Sequence, residues 1–462
     1  MKSSRDFIKS WWTELPQATA ARWASLFFSL HILTLLLSIA VTQAFLAAAT
    51  VAYLTYLLRS RPPISFPPVK LPLLLFCLAT FNSLLWAEHP AVGWPAVRKL
   101  VLFLILLLSV NLVAGARHFG ALFRGLFLVS ALAGLVGIGQ FVIQYHSVRH
   151  LHPDLVYYYM TLTRIHGFMG HWMNFGGQQM LVFSALLAFL LLSHGVIPSA
   201  TRNLALLRGG SRREDQSKIP RCARNDTLQH SRGKGLYWLV MAVVATSLVL
   251  NFTRGVWLGG VVATLYIVAR WKPRALWAIP VLLLVADLAA PSMIRQRVSL
   301  ALHPNDDPAL AIRLEMWGVG LRMVREHPWV GVGPENIPRV YTQYLLPGTT
   351  PIAGYHNHLH DNFLQLAAER GLLCLAAWLG FMLALGWNIL RIRDRLSRWR
   401  WVADAAFAAW LAFLAEGFFE YNFGTSPVLM VFLLLMSTPF VADRLESRAK
   451  KSTVTGSGSE ER

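Results

Sequence analysis

A run of alternating histidines stands where a long polar segment meets an apolar one, in the sequence Tyr355-His356-Asn357-His358-Leu359-His360-Asp361-Asn362. Imidazole titrates near neutral pH, so one of these histidines can act as a general base. Imidazole also binds zinc, and on a strand all three histidines would share one face. A third interpretation is purely structural, with Asp361 or Asn362 capping the helix that follows. The residues alone leave these three interpretations open.

Arginine is the second residue type here that can do chemistry. Arg164 and Arg254 each stand beside an apolar run, and Arg313 opens a helical pattern over 312–325. A guanidinium group is permanently charged, and its planar donor fork suits phosphate oxygens. Three of them around one pocket would grip a pyrophosphate. The alternative is that each arginine separately anchors to lipid headgroups or pairs with a nearby acid.

Acidic residues also occur within apolar runs, where they are costly and usually face a cavity or a partner. Glu369 and Arg370 lie in one such run. Glu416 and Glu420 lie in another and, being four residues apart, share a helix face. These two acids are candidates for holding the arginines, although for Glu420 we favour an acid at the water-exposed end of a helix.

Composition determines which elements must position these residues. The chain has 462 residues, of which 55% are hydrophobic and only 14% charged, with a mean hydropathy of +0.46. Soluble domains are about 25% charged, and disordered chains are far less apolar. The net charge of +20 then reflects the cytoplasmic charge bias of a membrane protein rather than binding to nucleic acid.

Twelve apolar runs are long enough to approach the roughly 20 residues that cross a bilayer. We predict an all-α polytopic membrane protein with about twelve transmembrane helices, the first two being separated near Thr42-Gln43. The runs are 23–39, 42–58, 71–87, 100–116, 125–145, 176–196, 236–252, 255–269, 275–290, 363–390, 402–420 and 426–442.

Every even-numbered boundary between these runs is basic, so the positive-inside rule places both termini in the cytoplasm. The histidines and the three arginines then lie on the outer side, where positive charge is informative. The predicted organisation is a cytoplasmic N-terminus, helices 1–9 with a flexible cytoplasmic insertion, one long extracytoplasmic loop containing helices, helices 10–12, and a cytoplasmic tail. The respective ranges are 1–22, 23–290 (insertion 199–235), 291–362, 363–443 and 444–462.

The order of these motifs resembles the O-antigen ligase and polymerase superfamily. The histidine segment, followed by Gln365, Glu369 and Gly371, is similar to that family's signature. Other motifs in the same order are Thr253-Arg254-Gly255, Arg313-x-x-x-Trp317, Gly331-Val332-Gly333-Pro334, and Arg164-x-x-Gly167 with Asn174. The family commonly has Asn directly after the second histidine, whereas this chain has Asp361 there and Asn362 one residue later. Which of these two side chains orients His360 is left open.

The resemblance implies a GT-C-like glycosyltransferase in the bacterial inner membrane, with its site facing the periplasm and no metal or other cofactor. It would move a glycan with inversion from undecaprenyl pyrophosphate to an acceptor, the lipid A core or another glycan, with membrane lipid around it. Arg254, Arg313 and Arg164 would bind the pyrophosphate, and the catalytic histidines would be His360, preferred as the base, and His358. The supporting residues would be Asp361, Asn362, Glu369 and Trp317.

Several other functions share these features. An O-antigen polymerase and a protein O-oligosaccharyltransferase of the same superfamily would use the same donor machinery. A twelve-helix secondary transporter belongs to a different class, but transporters usually show paired halves, and no repeat is found in this sequence. We therefore expect an O-antigen ligase-like glycosyltransferase.

Overall fold

The computed structural model describes residues 13–193, 221–303, 308–349 and 357–457. Over these ranges the chain is helical and contains no strand. The α-helices are α1 Thr19–Thr34, α2 Ile39–Ser60, α3 Lys70–Leu85, α4 Trp94–Arg98, α5 Leu104–Leu112, α6 Ala116–Leu151, α7 Val156–Leu162, α8 Trp172–Leu192, α9 Arg221–Leu250, α10 Arg254–Trp271, α11 Ile279–Ala289, α12 Ser292–Leu302, α13 Pro308–Glu326, α14 Ile337–Val340, α15 Asn362–Arg395, α16 Arg400–Gly417 and α17 Ser426–Ser457.

Six helical segments in the described part of the chain are long and apolar enough to cross a membrane. They are Ile39–Ser60, Pro90–Leu112, Ala116–Leu151, Trp172–Leu192, Asn362–Arg395 and Ser426–Lys450. The all-helical architecture with several apolar helices is thus confirmed. The full set of twelve crossings and the extracytoplasmic position of the long loop remain predictions.

The first apolar stretch is divided earlier than predicted. The break lies at residues 35–38 instead of near Thr42-Gln43, because Ser38 starts the second helix. Its side-chain oxygen accepts a hydrogen bond from Val41 N at 3.5 Å, and serine is a favoured residue at a helix N-terminus.

The ninth predicted crossing, 275–290, is only partly α-helical. A 3-10 helix, Pro273–Ala278, precedes the 11 residues of α11. At 1.5 Å per residue such a helix spans roughly half of a 30 Å hydrocarbon core.

Of the predicted insertion 199–235, residues 199–220 lie outside the described residues, and the remainder begins α9.

The helix predicted within the long polar segment is present as α13. After it, the chain docks on α15 at two glycines with positive φ, Gly331 (+66°) and Gly371 (+81°). A Cβ on Gly371 would lie 2.1 Å from Trp329 O, and one on Gly331 would lie 2.3 Å from the α15 backbone. Val332 N donates to Ala368 O at 2.9 Å across the same junction. Only glycine allows this approach, which holds the polar segment against the kink in α15.

Helices α8, α10, α15 and α16 pack together around a continuous apolar core. Three of them begin at the same end of the bundle, with Trp172, Arg254 and Asn362 as their first residues. Asn251, just before α10, joins two of these ends because its side-chain amide donates to Ile165 O and Trp172 O at 3.0 and 3.1 Å. The polar residues singled out from the sequence are at this end.

The predicted topology has a direct test. A reporter fused after Gly210, within the predicted insertion, should report a cytoplasmic position, and one fused after Thr349 should report the opposite side, because the basic boundaries orient the helices. Enzymatic reporters active on only one side of the membrane distinguish the two. Both fusions reporting the same side would overturn the topology and, with it, the position of the site.

Candidate active site

Glu420 joins the histidine segment to an arginine. Its Oε2 lies 2.9 Å from His360 Nδ1, and its Oε1 accepts a hydrogen bond from Arg313 Nη2 at 2.9 Å. The three residues come from the loop after α16, the turn before α15 and helix α13. A carboxylate can only accept a hydrogen bond, so His360 Nδ1 carries the proton. His360 Nε2 is therefore the ring nitrogen that can take up another.

The interpretation of Glu420 as an exposed acid is wrong. Helix α16 ends at Gly417 instead of residue 420, and Glu420 is only 4% exposed in the loop that follows. Burial alone would raise its pKa, but the hydrogen bond from His360 and the positive charge of Arg313 outweigh burial and lower the pKa to about 2. Glu420 is thus an ionised partner for both groups.

His360 adopts a left-handed backbone conformation, with φ +51°. Non-glycine residues in this region are uncommon, and such conformations persist only where the surroundings impose them. Asp361 accepts from Leu364 N at 2.7 Å and caps α15, and the Asn362 amide bonds to Asn422 and Phe423. Neither predicted side chain therefore orients His360, since Glu420 does so.

His358 lies against His360, with ring centroids 4.1 Å apart. Burial, together with the adjacent His360 ring, lowers the pKa of His358 to about 3, so the His358 ring is neutral at physiological pH. Its Nδ1 is buried and has no hydrogen-bond partner among the described residues. His356 lies outside the described residues, so the three-histidine metal site is left as the untested alternative.

Arg164 lies within electrostatic reach of the other two predicted arginines. Burial and the positive charges of Arg297, Arg313 and Arg254 lower the pKa of Arg164 to about 10, against an opposing effect of Glu420. Arg164 also lies 5.2 Å over the Trp172 ring. We call Arg164, Arg254, Arg297 and Arg313 the arginine cluster. Like charges gathered in this way favour an anionic occupant.

Arg297 was not predicted. It is 8% exposed, on α12, and its Nε donates to Phe252 O at 3.1 Å in the turn before α10. Phe252 has φ +54°, and the next residue, Thr253, accepts from Arg164 Nη1 at 3.4 Å. In the sequence, Arg297 is one of many basic residues in a polar segment, and nothing in its spacing distinguishes it.

His171 was likewise given no role from the sequence. It caps α8, accepting from Met173 N at 3.3 Å. Burial and the positive charge of Arg164, with the His360 ring nearby, lower the pKa of His171, while Glu420 opposes them. His171 therefore lies within electrostatic reach of both the arginine cluster and the Glu420 carboxylate.

Two of the predicted supporting residues have contacts other than those that join Glu420 to His360 and Arg313. Glu369 accepts from Glu335 N at 3.0 Å and lies 3.9 Å from Arg370, so it fastens the polar segment to α15. Trp317 stands one helical turn after Arg313 on α13. Its indole Nε1 is buried and has no partner among the described residues.

A cavity of about 390 Å³ adjoins the His358 and Glu420 side chains. Small-molecule sites are usually clefts of about 300–1,000 Å³. The remaining lining is mixed polar and apolar, and comprises Lys99, Met173, Glu335, Pro338, Asn357, Gln365, Glu416, Tyr421, Asn422, Gly424, Thr425 and Val428. No arginine is among these lining residues. The arginine cluster and the cavity therefore present different chemistry, and Glu420 belongs to both because it lines the cavity and bonds to Arg313.

Comparison with known proteins supports the resemblance noted in the sequence. Residues 239–379 match the family model of the O-antigen ligase. This span contains Arg254, Arg297, Arg313, His358 and His360, whereas Arg164 and Glu420 fall outside it. No curated protein matches the chain. Residues 239–379 are thus a domain of the O-antigen ligase family.

Proposed function

We propose that the protein is an O-antigen ligase-like glycosyltransferase that moves a glycan from undecaprenyl pyrophosphate to the lipid A core. The reaction takes place at the periplasmic face of the bacterial inner membrane. The family domain supports a glycosyltransferase with glycan and lipid-linked substrates, and the apolar helices suit a donor whose polyprenyl tail stays in the bilayer. The inversion and the independence from metal are taken from the family resemblance.

The arginine cluster is the proposed site for the pyrophosphate. Its guanidinium groups offer charge-assisted donors to phosphate oxygens. The helices α8, α10 and α15 begin at the same end of the bundle, and a helix N-terminus carries partial positive charge that favours anions. Negative charge grows on the pyrophosphate as it leaves, so preorganised positive groups stabilise the transition state more than the bound donor.

His360 is the proposed general base. The acceptor hydroxyl oxygen forms a bond to the anomeric carbon of the donor sugar while the bond from that carbon to the pyrophosphate oxygen breaks. The hydroxyl proton passes to His360 Nε2, and the electron pair of the broken bond leaves with the pyrophosphate. Glu420, hydrogen-bonded at Nδ1, stabilises the resulting imidazolium, as second carboxylates do in other histidine-base sites.

The observation that carries this proposal is the Glu420 bridge. One buried carboxylate holds both the base His360 and the phosphate-binding group Arg313, each at 2.9 Å. Such a bridge fixes the distance between the group that takes the proton and the group that receives the leaving charge. Positioning of this kind accounts for a large part of catalysis in group transfer.

Deletion of the gene tests the proposal. Cells lacking the protein should lose the ladder of glycan-bearing lipopolysaccharide and accumulate lipid-linked glycan, and the wild-type gene should restore both. An unchanged ladder would contradict the ligase assignment. Loss of long chains with single glycan units still attached to lipid A core would indicate a polymerase, and loss of a glycoprotein would indicate protein glycosylation.

Substituting lysine in the arginine cluster tests the donor site. We expect Arg254→Lys and Arg313→Lys to weaken donor binding and slow transfer by about 30- to 1000-fold, because lysine keeps the charge but loses the planar fork. Binding of a labelled polyprenyl-pyrophosphate glycan to the purified protein measures the first effect. Arg325→Lys, at an exposed position on α13, the helix that carries Arg313, is the matched control. Normal donor affinity in both cluster variants would remove the cluster from the donor site.

A further inference from the structure

The cavity beside His358 and Glu420 shows an unusual balance of charge. Its ionisable lining groups, apart from His358 and Tyr421, are Lys99, Glu335, Glu416 and Glu420. Lys99 and Glu335 form an ion pair at 2.9 Å, and Glu420 is paired with Arg313 outside the lining. Three of these four groups are therefore already paired within the protein.

The fourth group, the carboxyl of Glu416, lines the cavity and has no ion-pair partner among the described residues. It is 1% exposed, and its Oε2 accepts from Asn422 Nδ2 at 2.9 Å. Around it the lining offers uncharged hydrogen-bonding groups on Asn357, Gln365 and Tyr421. Carboxyl and amide groups are acceptors and donors that suit hydroxyl groups.

We propose that this cavity holds the acceptor sugar and selects an uncharged ring, excluding acceptors that carry a phosphate or carboxylate there. The proposal rests on the glycosyl transfer proposed above. The cavity is lined by Glu420, which is hydrogen-bonded to His360, and by none of the arginines of the cluster, so an acceptor bound in it lies beside the proposed base. The Met173 and Val428 side chains leave an apolar wall for the face of a sugar ring.

The exclusion follows from the cost of burying an unpaired charge. An anionic substituent entering the cavity would find Lys99 already engaged by Glu335 and would meet the carboxyl group of Glu416. Burying a charge without a counter-charge is far more costly than burying a hydroxyl that can form hydrogen bonds. A neutral polyol, in contrast, satisfies the lining without disturbing either ion pair.

Binding of simple sugars to the purified full-length protein in lipid nanodiscs tests the proposal without any transfer reaction. Saturation-transfer NMR should detect methyl glucoside bound in the cavity, with at least tenfold less signal for glucose 6-phosphate. Thr425→Trp, which places a large side chain in the cavity, should abolish the methyl glucoside signal. Equal signals for the two sugars, or a methyl glucoside signal unaffected by Thr425→Trp, would overturn the proposal.

The Lys99–Glu335 pair allows a sharper comparison. Glu335→Gln leaves Lys99 without its partner and should raise glucose 6-phosphate binding about tenfold, while methyl glucoside binding changes less than twofold. The double variant Lys99→Gln/Glu335→Gln, which removes both charges, should lose this gain. A gain that persists in the double variant, or none in Glu335→Gln, contradicts the role of charge matching.

The sugar-binding experiments can fail independently of the gene deletion that tests the proposed function. Sugar binding as described, in a protein whose deletion leaves lipopolysaccharide unchanged, would reject the transfer reaction and, with it, the acceptor role of the cavity. Intact glycan transfer together with equal binding of neutral and phosphorylated sugars would reject only the inference about the cavity.

Discussion

Replacing His360 with asparagine should lower the rate of glycan transfer by about 100- to 10,000-fold, the usual contribution of a general base. Donor binding should remain near the wild-type value, since the arginine cluster is untouched. Asparagine is chosen because His360 has φ +51°, a conformation that asparagine tolerates better than alanine. The transfer rate on purified donor and acceptor, and the affinity for labelled donor, are the two measurements.

His303→Ala is the matched control, since His303 is exposed at the end of α12 and bonds only within its own helix turn among the described contacts. We expect it to retain transfer within a few-fold. Transfer at the wild-type rate by His360→Asn would rule out His360 as the base. A parallel loss of donor affinity would place His360 in the donor site instead.

The residues to which we assign the chemistry could be selected from the sequence before the fold was known. The histidine segment and Arg164, Arg254 and Arg313 stand at the ends of apolar runs, and a polar or charged residue at such a boundary is informative because depth in a membrane is costly for charge. The fold brings Arg254 and Arg313 within electrostatic reach of Arg164. Their roles in donor binding and proton transfer remain proposals.

The partners of these residues could not be predicted, because they depend on tertiary packing. Glu420 is 60 residues from His360 and 107 from Arg313 along the chain. Its position near the end of an apolar run is equally typical of a solvent-exposed acid. Only the early end of α16, at Gly417, and the return of the chain toward α15 bury it. Arg297 was missed for the same reason, since its partner is a backbone oxygen 45 residues away.

The positions of the helices could be predicted from the sequence, whereas their exact boundaries could not. Hydrophobic runs locate the long helices, but local hydrogen bonding determines where each begins. Ser38 caps α2 and moves the first break four residues or more from the predicted one, and Asp361 rather than a later residue caps α15. Glycines 331 and 371 were recognised as part of motifs, but their close backbone contact is visible only in the folded chain.

Replacing Glu420 with glutamine should reduce transfer by about 100- to 10,000-fold, although Glu420 need not touch either substrate. The neutral amide no longer fixes the proton on His360 Nδ1 or stabilises the imidazolium, an effect of about 10,000-fold where a histidine base loses its carboxylate. It also leaves the guanidinium of Arg313, 2.9 Å away, without its carboxylate partner. The transfer rate and the donor affinity should both fall, the rate by more.

Glu420 acts as a positioning residue in this account, so its effect must depend on His360. In a double-mutant cycle, Glu420→Gln should cost less than about tenfold when His360 is already asparagine, because groups that act as a unit are strongly non-additive. Glu326→Gln, at an exposed position on α13, should retain full transfer. A purely structural role would instead give multiplicative losses in the double variant, with the thermal stability of the protein falling in parallel.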